Sequence, residues 1–226
     1  AALQKLFPDA RIGRMDRDTT SRKGAVVKIL KELRNRRIDI LIGTQMVAKG
    51  HDFPHITLVG IICADLSLNF PDFRAGERTF QLLAQVAGRA GRGDTPGRVI
   101  LQTYNPKHFS ITAAQKQDFE AFYEHELQFR QALNYPPFTR MVQIRLSGRD
   151  RATTQKQACL FGDICRTLRS STRDFKAAME ILGPIEAPLS RIAGHYRWQI
   201  LLKGHPFKVL HQFIDLLMAE KQALRG

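Results

Sequence analysis

The chain has 226 residues, 43% of them hydrophobic with 14 phenylalanines, which is enough for one large or two small packed cores and excludes a disordered chain. Lys and Arg number 35 against 21 Asp and Glu, a formal net charge of +14 and a pI near 10.2, so a polyanionic partner is favoured: nucleic acid, an acidic protein or an anionic membrane surface. No apolar run approaches the ~18 to 20 residues of a membrane span, and no basic-then-apolar start marks a signal peptide.

In chain order, a helical pattern over Ala1 to Phe7 opens the sequence directly, as expected of a piece of something longer. Strands are then predicted at Ala10 to Met15, Ile38 to Ile42, Thr57 to Ala64 and Arg98 to Thr103, alternating with helices at Gly24 to Arg36 and Ala75 to Ala87. Strands alternating with helices predict an α/β lobe with a parallel, doubly wound sheet. Leu41, Ile42, Val59, Ile61 and Ile62 lack clean alternation, the pattern of strands buried on both faces.

Pro106 breaks the pattern, a helix is predicted over Phe119 to Leu133, and Tyr135, Pro136, Pro137 and Phe138 end it. The remainder reads as a strand at Met141 to Leu146, a helix at Arg151 to Leu168, strands near Ile181 to Ala187 and Arg197 to Leu202, and a helix at Pro206 to Ala223. That βαββα order fits a small α+β, ferredoxin-like layer. The expected organisation is therefore a lobe at 1–105, a helical connector at 106–138 and a C-terminal domain at 139–226.

Charge follows the same division. Residues 1–104 carry 17 basic and 10 acidic side chains, and 139–226 carry 15 and 7, so both blocks could face one phosphate backbone, or form a solvated surface of mixed charge. Cys63, Cys159 and Cys165 form no CxxC pair and read as buried structural thiols of a protein in a reducing cytosol, with no metal site.

Two segments carry chemistry. GTQMVAKGHDF, Gly43 to Phe53, follows a predicted buried strand, and functional loops of an open parallel sheet gather at strand carboxyl ends. Gly43, Thr44, Gln45 and Gly50 would let a phosphate approach main-chain N–H groups and a hydroxyl, beside Lys49 and the Asp52 carboxylate. QVAGRAGR, Gln85 to Arg92, closes a helix, and Gly88 and Gly91 are expected to let the chain leave it in conformations other residues resist, holding Arg89 and Arg92 on one loop. Two guanidiniums aimed together suit a triphosphate, and an arginine against a transferring phosphoryl group is worth roughly 10³ to 10⁵ in rate. Complementing the dipole of their own helix would also account for the pair.

In the C-terminal part, Arg140, Arg145, Arg149 and Arg151 are expected to cluster about the first strand and its exit. His195, Tyr196, Arg197 and Trp198 mix rings with positive charge, which suits bases and phosphates, although Trp198 in such a strand is also a core residue.

QxxGRxGR about 40 residues after GTQMxxKGxDF resembles motifs VI and V of superfamily 2 helicases, and ADLSLNFPDFRAGER, Ala64 to Arg78, narrows the resemblance to the PriA family of replication-restart helicases. RMDRDT at Arg14 to Thr19, LNYPPFTR at Leu133 to Arg140 and LGPIEAPLSRIAGHYRWQILLK at Leu182 to Lys203 extend it over nearly the whole chain.

The resemblance implies the second of two RecA-like lobes of an ATP-driven, 3′-to-5′ DNA helicase, followed by a domain that helps bind branched DNA at stalled forks, where the family initiates primosome assembly. It implies that Gln85, Arg89 and Arg92 face the nucleotide, with Arg92 as arginine finger, and that Gly50 and Asp52 lie near it. Asp52 holding an arginine in place is the alternative. Thr44 and Gln45 would meet the DNA backbone, and the residues themselves add Lys49, Arg140, Arg145, Arg149 and Arg197 as candidate DNA contacts. Implied partners are forked and single-stranded DNA, single-strand-binding protein and primosome proteins, for a monomer in the bacterial cytoplasm at forks.

The departures are as specific. No GxxxxGK[ST] loop, no DExH carboxylate pair for magnesium and no paired-cysteine zinc cluster occurs in the sequence, although the family carries all three. ATP and Mg²⁺ would therefore be held mainly by another lobe, and this chain alone should neither bind ATP tightly nor unwind DNA. A non-catalytic module for branched or single-stranded DNA, with the arginine loop as a phosphate contact, is the competing reading, and a scaffold for primosome proteins is a third.

Overall fold

A computed structural model describes residues 2–16, 24–44, 56–88 and 97–223, with side chains up to residue 220. The chain divides into two compact units, Ala1–Glu124 and His125–Gly226. Among the described residues no helix is long and apolar enough to cross a membrane.

The first unit contains helices α1 (Ala2–Leu6), α2 (Ala25–Arg34), α3 (Ala75–Ala87) and α4 (Phe109–Lys116), and strands β1 (Ile12–Met15), β2 (Ile40–Gly43), β3 (Leu58–Ile61) and β4 (Arg98–Leu101). As the alternation predicts, the pairing is parallel: β1 with β2, and β3 with β4. Among the described residues these are two separate two-stranded pairs and not one continuous sheet. Full burial on both faces is not found: Leu41, Val59 and Ile61 are half-buried and Ile42 is exposed, while Ile62, also exposed, lies past the end of β3.

Arg11 opens β1 with a two-point fork on Asp39, its Nε 2.8 Å from Oδ2 and its Nη2 2.6 Å from Oδ1. These hydrogen bonds hold the Asp39 carboxyl well below the usual carboxylate range. The pair fixes the start of the β1–β2 register at the surface.

The core of this unit is aromatic. Phe80 of α3 stacks on Phe122 at 4.1 Å between centroids, and Phe109 of α4 lies 5.6 Å from Phe122. Leu83, Ile111, Ala113 and Ala114 close the cluster, so α3 and α4 pack through one ring stack. The sequence reading left α4 out because its cap is atypical: His108, and not Ser, Thr, Asp or Asn, accepts from the Ser110 N–H through Nδ1 at 3.2 Å.

Helix α5 (Phe119–Ala132) carries Phe122, and beyond residue 124 its Glu126 and Arg130 form a largely buried pair at 2.8 Å. Arg130 also donates to the Pro136 carbonyl, so the chain after the helix is tied back to it.

The second unit holds strands β5 (Arg140–Gly148), β6 (Met179–Ile192) and β7 (His195–Gly204), and helices α6 (Arg151–Ser171), α7 (Arg173–Ala178) and α8 (Phe207–Ala223). The order is β5-β7-β6, with β7 antiparallel to both neighbours. Two parallel strands split by a third is the first part of a ferredoxin-like layer, as expected. Helix α7, six residues long, is an addition to the predicted order, started by Thr172 accepting from the Phe175 N–H.

Ile200 and Leu202 of β7, Leu210, Phe213 and Leu217 of α8, and Cys165 and Leu168 of α6 form the core of this unit. Burial pushes the Cys165 thiol up to about 11. Cys159 departs from expectation: it is exposed, because Ala158, Gly162 and Cys165 form the inward stripe of α6 and the following position turns outward. Cys63 is only partly buried.

Candidate functional site

Of the residues proposed to meet nucleotide or DNA in the first unit, Thr44 and Gln85 are described, and both are exposed. Thr44 directly follows β2, at the carboxyl end of a parallel strand, and Gln85 lies in the last turn of α3. Gln45, Lys49, Gly50, Asp52, Arg89 and Arg92 lie outside the described residues.

One expectation about this loop is corrected. Gly88 ends α3 in right-handed geometry, φ −68°, with its N–H on the Ala84 carbonyl at 3.1 Å, and a Cβ there would meet ordinary contacts. The helical bond continues through Gly88, so no glycine-specific conformation is needed to leave the helix at that residue. Gly91 lies outside the described residues.

Between β3 and α3 the loop is held by two carboxylates that sequence reasoning passed over. Asp65, buried, accepts from Thr103 Oγ1 at 2.6 Å, the Tyr104 N–H at 2.8 Å and the Asn105 N–H at 3.1 Å, tying the turn after β3 to the end of β4. Asp72 accepts from the Arg74 N–H at 2.9 Å and pairs with Arg78 at 2.8 Å, which sets the entry to α3. Both belong to the ADLSLNFPDFRAGER segment, whose aspartates gave the only available signal.

Hydrogen bonding from Thr103, then from the Tyr104 and Asn105 backbone, holds the Asp65 carboxyl below its ordinary value. Its contribution to stability is therefore present above the ordinary carboxylate pKa and lost as pH falls through the lowered one. Asp65→Asn places an amide N–H₂ among donors, and a lower thermal midpoint at pH 7 is expected, with the difference from the parent shrinking in acid. Thermal denaturation followed at both pH values checks this; a constant difference would assign the loss to packing and not to charge.

In the second unit, Arg145 and Arg197 are brought together. Arg145 stands opposite Gln199 and Arg197 opposite Ser147, so the two arginines are diagonal neighbours on one face of the β5–β7 ladder. This is the face opposite Val142, Ile144 and Leu146, which pack on the helices. Arg149 follows β5 at the same end, exposed, and Arg151 pairs with Glu186 at 3.4 Å.

Arg140 is not part of this group. It pairs with Gly204 at the far end of β5, eight positions from Gly148, roughly 27 Å along an extended strand. The four arginines expected about the first strand and its exit are thus spread along it: Arg140 opens β5, Arg145 is its sixth residue, Arg149 follows its end and Arg151 opens α6.

Trp198 is 5% exposed and faces the helices beside Ile200 and Leu202, so it is a core residue. Lys203 is likewise committed: its Nζ lies 3.2 Å from the Leu133 carbonyl, 3.2 Å from Glu180 and over the Tyr135 ring at 4.4 Å.

Arg191 is the basic residue sequence reasoning missed. β6 runs past Ala187 through a register shift and pairs again at Arg191 with Tyr196 and at Ile192 with His195. The guanidinium of Arg191 lies 5.0 Å above the Tyr196 ring. The available signal was the Ala193-Gly194 dipeptide, a two-residue turn with both residues at positive φ. Among the described residues no group of three or more His, Cys, Asp or Glu side chains could hold a metal ion.

Comparison with known proteins places these features. Residues 2–94 match the model of the helicase conserved C-terminal domain, a RecA-like lobe, and residues 131–225 match that of the primosomal protein N C-terminal domain. The replication restart protein PriA of Bacillus subtilis (strain 168) is 47% identical over 201 residues, 89% of this chain and 24% of that protein. The PriA of Synechocystis sp. is 45% identical over 206 residues, covering 91% of this chain and 24% of its own length. That of Treponema pallidum is 42% identical over 225 residues, 100% of this chain and 33% of its own.

The chain thus spans about a quarter to a third of the length of these curated relatives. Two domain matches in the order the motifs require, and relatives of one name over nearly all of the sequence, lead to one assignment: the chain belongs to the PriA family, with a helicase conserved C-terminal domain followed by a primosomal protein N C-terminal domain.

Proposed function

We propose that this chain supplies the second motor lobe and a DNA-gripping C-terminal domain to an ATP-dependent, 3′-to-5′ DNA helicase that works at stalled forks and initiates primosome assembly. The observation that carries the reading is the pair of motif segments, GTQMVAKGHDF at the end of β2 and QVAGRAGR at the end of α3, inside a helicase C-terminal domain match. Gln85, Arg89 and Arg92, with Gly50 and Asp52, are the groups proposed to face ATP across a cleft completed by another lobe. That lobe would hold the phosphates and Mg²⁺, since no phosphate loop or DExH pair lies in this sequence. Zinc would belong to another part of the protein, because no paired cysteines occur in this one. Thr44, Gln45 and Lys49 are the proposed backbone contacts in the lobe.

The C-terminal unit has a second, non-exclusive role in the proposal: a grip on branched or single-stranded DNA through Arg145, Arg149 and Arg197. Their grouping at one end of the sheet supports it. Arg140 would reach a separate stretch of backbone. Single-strand-binding protein and primosome proteins are the partners proposed from the family resemblance, and a monomer at cytoplasmic forks is the proposed working form.

Fluorescence-anisotropy titration of the chain with forked and single-stranded DNA over a salt series tests the grip. Each neutralised phosphate steepens the dependence of log K on log salt by about 0.9 in duplex and 0.7 in single strands. Arg145→Ala and Arg197→Ala are each expected to weaken binding to all sequences alike and to reduce the slope by about 1. Binding indifferent to salt and to both substitutions would remove the C-terminal unit from DNA recognition and leave the chain to complete the ATP site.

A further inference from the structure

Helices α6, α7 and α8 pack on one face of the β5-β7-β6 sheet, where Ile144, Ile181, Ile200 and Leu202 meet them. Alternate strand residues point the other way, among them Gln143 and Arg145 of β5 and Arg197, Gln199 and Leu201 of β7. On β6, Leu182 stands opposite Leu201 and Ile185 opposite Gln199, so both share this second face.

Leu182 and Ile185 are three residues apart, a spacing that in a regular strand would send them to opposite faces. The register shift between them removes one step. It depends on glycine: Gly183 sits at φ 96°, and a Cβ there would lie 2.8 Å from the Gln199 carbonyl oxygen. The bulge therefore turns a second apolar side chain toward solvent, with Ile185 60% exposed and Leu182 36%.

This face is divided across its width. Arg145 and Arg197 lie over β5 and β7, and neither guanidinium is paired with a carboxylate among the described residues. Glu180, the strand carboxylate on this face, is taken by Lys203 at 3.2 Å toward the Gly204 end. Arg145 donates to Gln143 at 3.4 Å and Gln143 donates to Gln199 at 2.5 Å. Positive charge thus lies on one side of an amide pair, and the exposed apolar residues of β6 lie on the other.

Building on the DNA-grip reading, we propose that this face is a platform for one DNA strand, with Arg145 and Arg197 on neighbouring phosphates and Ile185, flanked by Leu182, against the bases. Ile185 is then the residue that favours single strands over duplex. A single strand is itself divided across its width, charged along its backbone and apolar on its base faces. Diagonal neighbours on a ladder are roughly 7–8 Å apart, within reach of successive phosphates for two long side chains. A duplex turns its phosphates outward and keeps its base faces stacked inside, so it can use the arginines and not the isoleucine. The net charge of +14 and the helicase domain match in the same chain favour a nucleic acid here over an acidic peptide.

The test uses the whole chain with three probes of equal phosphate count: a single strand, the same strand made abasic, and a blunt duplex. Ile185→Ala is expected to weaken binding to the base-bearing strand about 3- to 30-fold, the range for losing part of one aliphatic contact, with the salt slope unchanged. It should change nothing on the abasic strand or the duplex. Arg145→Ala weakens all three, and Leu160→Ala, at an exposed apolar position of α6, weakens none.

If Ile185→Ala leaves the single strand bound as before while Arg145→Ala weakens it, the platform is overturned and the arginine grip stands. An Ile185→Ala loss equal on all three probes also overturns it, assigning Ile185 to the integrity of the sheet. Ile185→Ala weakening an acidic, leucine-bearing peptide and not the single strand gives the face to a protein and rejects the proposal. Absence of salt-dependent binding to any of the DNA probes defeats the grip, and the platform with it.

Discussion

Arg92→Ala in the intact helicase is expected to lower ATP turnover roughly 10³- to 10⁵-fold while DNA affinity is retained. Charge develops on the transferring phosphoryl group only in the transition state, so a guanidinium aimed at it accelerates the step without tightening the ground state. Arg92 is the second arginine of GRAGR, four residues past Gly88, where the backbone of α3 is still right-handed. Gln85 lies in the last turn of α3, and on the proposed reading it acts with the two arginines of GRAGR on one triphosphate. Arg92→Lys keeps one charge and loses the planar fork, so it should recover only part of the rate. Single-turnover hydrolysis on saturating DNA, measured beside anisotropy titration, separates the two roles. If turnover per bound complex survives and DNA affinity falls, the arginine loop is a phosphate contact and the chain is chiefly a binding module.

The parts of the fold that could be read from the residues are those in which one physical rule acted alone. Helix α3 lies at its predicted bounds, and its Phe80, Leu83 and Ala84 recur at helical spacing. The strand–helix order of the C-terminal unit was legible for the same reason.

What escaped prediction depends on contacts between distant residues. Helix α4 is capped by a histidine, and α7 is six residues long, too short for a period to emerge. The outer half of β6 passes Pro188 and a register shift before it pairs again, so its alternation is broken just where Arg191 meets Tyr196. Asp65 looked like one more carboxylate of a motif; only the return of β4 beside β3 brings Thr103, Tyr104 and Asn105 to it. At the candidate site, residue type and spacing grouped Arg145 with Arg140, Arg149 and Arg151, and Arg197 with His195, Tyr196 and Trp198; only the antiparallel register of β5 and β7 makes Arg145 and Arg197 neighbours. The separation of Arg140 required the straight run of β5.

Phe213→Ala is expected to destabilise the C-terminal unit by about 3–5 kcal/mol, the range for deleting a fully buried aromatic ring. Phe213 is 0% exposed and meets the Phe175 ring edge-on at 5.2 Å, with Ile200, Leu202, Leu210 and Leu217 in the same cluster. Ile200 and Leu202 belong to the central strand, whose other face carries Arg197, so loss of the ring acts on the layer that positions the grip. A small domain is typically stable by about 5–15 kcal/mol, so the substitution removes a large share of that margin. The denaturant midpoint should fall with little change in slope, and DNA affinity measured well below the transition should stay close to that of the parent, because Phe213 packs on the helix face of the sheet and Arg145 and Arg197 lie on the other. Phe80→Ala provides the contrast. It empties the ring stack of the first unit, and since the two clusters share no residue the effects of both substitutions should add. A loss below about 1 kcal/mol at Phe213 would mean that the site collapses around the missing ring, and the core between α8 and the sheet would then not be the close-packed layer described.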